Sequence, residues 1–494
     1  MNKALVLCLL GTSMFCCVFA QGTPNTAKEI DELKAQMQEM RKLYDARIAQ
    51  MQAEIDELKG KKTMTAETAI MAPVADNQTS SNVPPVPAVV EKSDLYTQLK
   101  GKVEQWAAPV SKNANLDISA IIDMNFHHDN AKEELAHIRE EMSGFGHSHG
   151  EEEEEEGHHH HHHGDKNGFN LHHIELGLSA EVDPYFRAWT TLAFEDEESV
   201  EIEEAVIQTT NLPYGLTLSG GKIMSGIGRI NRQHSHNWDF ADIPLVYDAF
   251  FGDHGLREKG VQLTWLAPTP FYLLFGTELG NGDNEKFSNH VGGDELPDHD
   301  DPRLFTSFIK IAPDLGDKHA MQFGLNFATA HHQLAEEHDE HEHYFDGRNY
   351  LYGIDWVYKY SANGSHGMGD ITLQGEYFYR DSRMKLLNNG HHYENKQDGY
   401  YLQALYGIAP RWRVGARWEQ LGLVNECEDP HEGSWSAPSS YRMAGVVDWK
   451  LSEYSMLRFQ VARHSYSTEE EREKAWEFTF QLQISLGSHP AHDF

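Results

Sequence analysis

From about residue 113 onward, apolar and polar residues alternate along the chain. Trp476, Phe478, Phe480, Leu482, Ile484 and Leu486 occupy every second position, with Glu477, Thr479, Gln481, Gln483 and Ser485 between them. Met321, Phe323, Leu325 and Phe327 repeat the pattern, as do Phe271, Leu273 and Phe275. A period of two marks a strand with one apolar and one polar face. Sixteen such segments begin near Leu116, Asn170, Pro184, Val200, Tyr214, Lys259, Pro270, Arg303, Lys318, Asn349, Gly369, Asp398, Arg411, Tyr441, Glu453 and Ala475. Each has roughly the ten residues that a tilted bilayer-crossing strand needs.

The connections alternate too. Tight turns such as Asp183-Pro184, Ala409-Pro410 and Ser452-Glu453 follow every second strand. The others are long (127–168, 224–257, 281–302, 331–347, 381–396, 423–439 and 465–473), with 195–199 as the short exception. An even strand count, with short turns at one rim and long loops at the other, predicts an all-β fold: a 16-stranded antiparallel transmembrane β-barrel over 113–494.

The preceding segments read differently. Residues 1–20 have the signature of a signal peptide, with Lys3, an apolar stretch from Ala4 to Leu10, and Val18-Phe19-Ala20 before a cleavage at Gln21. A lipoprotein signal at Cys16 or Cys17 is the rival, but Phe15 and Cys16 depart from the Leu-x-(Gly/Ala) pattern that it needs. Over 27–61 the apolar stripe Ile30, Leu33, Met37, Met40, Tyr44, Ile48, Met51, Ile55, Leu58 predicts an α-helical coiled coil, dimeric or trimeric, in preference to a lone helix lying on the barrel. Residues 62–112 form a linker with Pro73, Pro84, Pro85 and Pro87 and room for one short helix from Asp94 to Ala108.

Composition narrows the function classes. The 494 residues carry 77 acidic against 41 basic side chains, a net charge of −36, which excludes nucleic acid as a partner. Beyond the first twenty residues no apolar run is long enough for a helical span. Cys8, Cys16 and Cys17 leave with the signal, so Cys427 can form neither an intrachain disulfide nor a thiolate metal cluster.

Of the 31 histidines, 24 fall in the long connections. Two segments are dense: His147 and His149, then Glu151 to Glu156, then His158, His159, His160, His161, His162 and His163; and His338, His341 and His343. Imidazole beside carboxylate suits borderline divalent cations such as Zn²⁺. Runs without fixed geometry predict many weak, exchanging sites at the outer mouth, with metal as a loosely bound ligand or transported ion and no required cofactor. A solvated acidic run with incidental histidines is the alternative. With no HExxH, no cysteine pair and no Ser/His/Asp spacing, nothing points to an enzyme.

The connection after the fifth strand stands apart, because it carries Ile223-Met224, Ile227, Ile230, Trp238, Phe240, Leu245-Val246-Tyr247 and Phe250-Phe251. So much apolar surface is costly on a wet rim, and the segment is expected to fold inward. Gly221-Lys222, Asp242-x-Pro244-Leu245, Phe251-Gly252, Gly255-Leu256 and Gly260-Val261-Gln262-Leu263 resemble the phosphate-selective porin superfamily. The coiled coil and His/Glu-rich loops are similar to its zinc-regulated outer-membrane members. The resemblance covers roughly 115–494. It implies a trimeric porin in the Gram-negative outer membrane, with the coiled coil in the periplasm and the loop after strand five as constriction.

Trp412, Val414, Ala416 and Trp418 should face lipid, which turns Arg411, Arg413 and Arg417 to the lumen with Arg442 and Arg458 alongside. Facing them, the inward loop offers Arg229 and Arg232 with Asp239, Asp242, Asp248 and Asp253. These residues are the expected pore constriction, whether as a transverse field, as an anion path, or as structural pairs. The combined expectation is passive diffusion of divalent metal ions, zinc foremost. Its rivals are an anion, phosphate-type or general-solute porin with acidic shielding loops, and a non-conducting surface metal store or adhesin. The final strand is expected to stop near Leu486, because Pro490 breaks the ladder, leaving Phe494 on a short tail.

Overall fold

A computed structural model describes residues 116–132, 135–145, 165–195, 199–291, 296–297, 299–338, 341–429, 433–468 and 471–487. The expected signal peptide, coiled coil and linker, the histidines from His147 to His163, and Phe494 lie outside the described residues.

The strands are β1 (Leu116–Asp129), β2 (Gly168–Glu181), β3 (Phe186–Glu195), β4 (Ser199–Thr209), β5 (Leu216–Met224), β6 (Arg257–Leu266), β7 (Tyr272–Gly280), β8 (Leu304–Ala312) and β9 (His319–His338). They continue with β10 (His341–Tyr360), β11 (Ile371–Leu386), β12 (His392–Ala409), β13 (Trp412–Asp429), β14 (Gly433–Ser436), β15 (Ser440–Ser452), β16 (Ser455–Ser467) and β17 (Arg472–Gly487). β1 pairs antiparallel with both β2 and β17, which closes the sheet into a barrel of sixteen staves. β14 is a four-residue strip on the end of β13 and is not a stave. Closure removes the two free edges of the sheet, as strands in hydrocarbon require.

All sixteen expected strands are present, with starts within three residues of those read from the sequence except at β10 and β12. Those two begin earlier for a common reason. The segments 331–347 and 381–396, expected as open loops, are instead the continuation of long hairpins, with His338 opposite His341 and Lys385 opposite His392. Likewise β13 runs through Asp429 into the span expected as loop 423–439. Phe345, Met384 and Leu386 bury one another across this raised part of the wall, with Leu334 and Tyr393 against them. Strand pairing continues there because it has its own apolar contacts.

The alternation sorts the two faces. Phe126, Leu325, Ile354, Leu402, Ile408 and Phe480 are exposed on the outside. Trp412 stacks on Trp449 at 5.2 Å and Trp418 on Tyr441 at 5.5 Å, giving aromatic pairs along the outer wall. An apolar exterior with aromatic pairs suits a surface solvated by lipid. The inner face carries Asp123, Gln262, Asp355, Gln374, Glu419 and Arg458, all buried.

The largest apolar core lies inside the barrel. Helix α1 (Leu135–Glu140) belongs to the β1–β2 connection and α2 (Leu245–Phe251) to the β5–β6 connection. Ile138, Met142 and Phe145 from the first pack with Tyr247, Phe250 and Phe251 from the second. Phe287 of the β7–β8 connection and the wall residues Leu351, Phe378 and Tyr401 join the same cluster. Three long connections therefore turn inward and share one core.

Candidate functional site

The inward segment 225–256 makes no strand pairs, so its backbone groups need other partners. The barrel wall supplies them. Glu278 on β7 accepts from the Gly226 backbone N–H at 2.8 Å. Glu376 on β11 accepts from the backbone N–H of Arg229 at 2.9 Å and of Ile230 at 3.0 Å, and from the hydroxyls of Tyr247 and Tyr401, both at 2.6 Å. Lys310 on β8 donates to the Gly228 carbonyl and to Asp355, both at 2.7 Å. Gly228 itself sits at φ +64°, where a Cβ would lie 1.9 Å from the Tyr247 hydroxyl, so this latch needs glycine for both conformation and room.

The second half of the segment is held the same way. Glu419 on β13 accepts from the Leu245 N–H at 2.6 Å, at the start of α2, where backbone N–H groups lack helical partners. Arg442 on β15 donates to the Ile243 carbonyl at 2.7 Å and pairs with Asp242 at 2.7 Å. Arg458 on β16 donates to the carbonyls of Phe240 at 3.0 Å and Trp238 at 2.9 Å. Arg417 pairs with both Asp242 and Glu419, and its guanidinium lies 4.4 Å over the Phe240 ring.

These contacts sort the expected constriction residues. Arg229, Arg232, Asp239 and Arg413 line a cavity of about 1070 Å³ on the short-turn side of the inward segment, with Lys310 and Lys359 opposite. Arg413 pairs with Asp239 at 2.6 Å and about a quarter of each side chain remains exposed, so this pair faces the solvent path. Arg417, Arg442 and Arg458 do not: their side chains are 1–2 % exposed, sandwiched between wall and loop, and they act as anchors. Asp248 reaches the other side of α2, near Arg139 at 3.5 Å and Lys286 at 3.6 Å.

Two expected positions are corrected. Arg411 does not face the lumen: it sits in the β12–β13 turn at φ 69°, exposed, donating to the Leu451 carbonyl at 2.6 Å. The turn extends one residue further than the expected Ala409-Pro410, so β13 starts at Trp412 and Arg411 is left out of the strand. Asp253 lies past α2 with its side chain 46 % exposed, close to His254 at 3.6 Å, and is not among the residues lining that cavity. The backbones of His338 and His341 pair in register, and His343 follows two residues on in β10.

Alternation alone misses two further groups. On the outer side, His299 Nε2 lies 2.8 Å from Asp346 Oδ1, and the His299 and His331 rings stack at 4.2 Å. Inside, His173 and Glu175 of β2 meet Glu203 and Glu204 of β4 and His234 and His236 of the inward segment. Burial of His234 alone would favour its neutral form, but hydrogen bonds to Glu203 at 2.9 Å and Glu204 at 3.1 Å, with Glu175 nearby, outweigh it and hold the imidazole pKa up to about 10. The Glu203-Glu204 pair was visible in the sequence, but strict period two would send one of the two outward.

No family model matches the chain. Among solved structures, the outer-membrane channel DcaP of Acinetobacter baumannii superposes with a TM-score of 0.48 at 11% identity, covering 76% of this chain and 98% of that one. OmpT of Vibrio cholerae gives 0.46 at 9%, covering 76% and 98%. The anion-selective porin from Comamonas acidovorans gives 0.42 at 10%, covering 76% and 100%. An uncharacterized protein of Aquifex aeolicus (strain VF5) is 34% identical over 425 residues, 81% of this chain and 86% of that one. At that identity over that span, the chain belongs to the same family as the Aquifex aeolicus protein.

Proposed function

We propose that this chain is an outer-membrane porin for passive diffusion of small charged solutes, and that its cargo is divalent metal cations, zinc foremost. One observation carries the general reading: a closed barrel with an apolar outer wall encloses an inward loop latched by wall carboxylates and arginines above a charged cavity. The cation reading rests on the metal-type side chains. His/Glu-rich runs stand in the long connections, and the His173, Glu175, Glu203 group lies on the lumen wall. Acidic loops would raise the cation concentration at the mouth.

A second reading has its own support. Arg229, Arg232, Arg413, Lys310 and Lys359 line the cavity, and a row of cations suits an anion or phosphate-type path. Reversal potentials of the purified protein in planar bilayers, under ZnCl₂ and KCl gradients, separate the two. Cation selectivity with measurable Zn²⁺ current supports the first, anion selectivity the second, and absence of channels leaves a surface metal store or adhesin. The assembly read for it is a homotrimer with the 27–61 coiled coil on the periplasmic side, which cross-linking of outer membranes checks.

A further inference from the structure

The lumen wall beneath the inward segment holds a group of imidazole and carboxylate side chains close enough to share one ion. His173 Nε2 lies 2.9 Å from Glu175 Oε1 and 3.8 Å from Glu203 Oε1. His236 Nδ1 lies 2.9 Å from the same Glu175 oxygen. The donor atoms of His173, Glu175 and Glu203 all fall within 4.8 Å of one another, and the three residues are buried. Four-coordinate zinc, with ligand bonds of about 2.0–2.2 Å, sets its donor atoms about 3.3–3.6 Å apart, and the 2.9 and 3.8 Å separations from His173 to Glu175 and Glu203 bracket that spacing.

The backbone is shaped for this grouping. Between β3 and β4 the register passes from Thr191 opposite Glu204 to Leu192 opposite Ile202, so Glu203 is the extra residue of a bulge. That bulge turns Glu203 and Glu204, neighbours in sequence, to the same side. A second register irregularity lies beside His173, between Asp123 and Asn125. Bulges re-aim side chains at functional sites, and here two of them feed one cluster.

Charge agrees with a cation. Glu175, Glu203 and Glu204 stand against Arg257, which pairs with Glu203 at 2.6 Å, and His234, leaving a net negative charge with both counted as cations. Mixed imidazole and carboxylate donors suit zinc, copper and nickel ions, whereas calcium and magnesium call for oxygen ligands throughout. Glu204 and His234 line the large cavity, so an ion there meets this group at its edge.

We propose that His173, Glu175 and Glu203 form a binding site for one divalent cation of the zinc class between strands β2 and β4, with solvent completing the coordination. Occupancy would join two barrel staves through one ion and fix Glu175, the carboxylate that holds His236 of the inward segment. This goes beyond the diffusion reading, because an equilibrium site exists whichever solute passes.

The test uses the full-length protein in detergent, with Co²⁺ as the probe, since four-coordinate Co²⁺ absorbs visible light far more strongly than six-coordinate Co²⁺ held loosely by surface histidines. One equivalent should give the intense band and Zn²⁺ should displace it. Glu175→Gln and His173→Asn should each abolish the band while the heat-modifiable barrel persists. No intense band in the wild type, or a band retained in either variant, overturns the site. Should a variant fail to fold, the wild type decides. Zn²⁺ must slow proteolysis within 225–256 and a chelator must restore it, and unchanged cleavage overturns the link through Glu175. No flux is measured, so failure here leaves the conductance reading intact, and a non-conducting barrel leaves this site intact.

Discussion

Tyr247 on α2 donates its hydroxyl hydrogen to Glu376 on β11 at 2.6 Å, across 129 residues of sequence. The same carboxylate takes the backbone N–H groups of Arg229 and Ile230 and the Tyr401 hydroxyl. Four donors thus converge on one buried carboxylate, and two separate parts of the inward segment, 229–230 and α2, are tied to a single point on the wall. The loop carries this function because it has no ladder of its own, and an unmet buried N–H is costly.

Glu376→Gln puts an amide donor where donors already converge. At least one of the four loses its acceptor, at a cost of about 1–3 kcal/mol. The variant should show faster proteolysis within 225–256 and larger, noisier single-channel steps, with the heat-modifiable barrel unchanged. Identical cleavage rates would show that apolar packing alone holds the loop.

The arginines should divide into two groups. Arg413→Gln should move reversal potentials toward cations and Asp239→Asn toward anions, because both line the cavity. Arg442→Gln should instead destabilise, by up to about 3–5 kcal/mol, since it leaves Asp242 and Glu419 with Arg417 as their one remaining arginine between wall and loop. Arg411→Gln, out in the turn, should change neither. A selectivity shift for Arg411→Gln as large as that for Arg413→Gln would contradict this assignment.

The pH dependence of loop attachment should follow His234. Its pKa rises from the ordinary 6.5 to about 10 in the folded chain. A group with a raised folded pKa contributes fully below its unfolded value and loses that contribution as pH climbs through the folded one. Proteolysis within 225–256 should therefore be constant below about pH 6.5, rise progressively between about pH 6.5 and about pH 10, and level off above that. His234→Gln should remove the rise. A wild-type rise that is already complete by about pH 7.5 would mean that Glu203 and Glu204 do not hold the proton.

Deleting 146–164 removes His147, His149 and His158 to His163. Total Zn²⁺ bound should fall by several equivalents, and the lost component should be the one that weakens below about pH 6.5 as free imidazole is protonated. Dialysis with metal quantification checks this. Unchanged stoichiometry would reduce that run to solvated charge.

Barrel strands were legible because alternation is a local property: Phe478 and Phe480 face out and Thr479 and Gln481 face in for the same reason that any strand shows two faces. The inward course of 225–256 was legible from Phe240, Leu245 and Phe250, which no wet rim accommodates. Where that segment landed was not. Partners such as Glu376 and Tyr247, or Arg458 and Trp238, lie more than a hundred residues apart, and only the closed sheet brings them together. Parity also fails wherever a strand bulges, which hid Glu203 beside His173, and where a turn runs on by a residue, which misplaced Arg411. The length of the raised hairpins was decided by the mutual burial of Phe345, Met384 and Leu386, a contact between strands that no single strand announces.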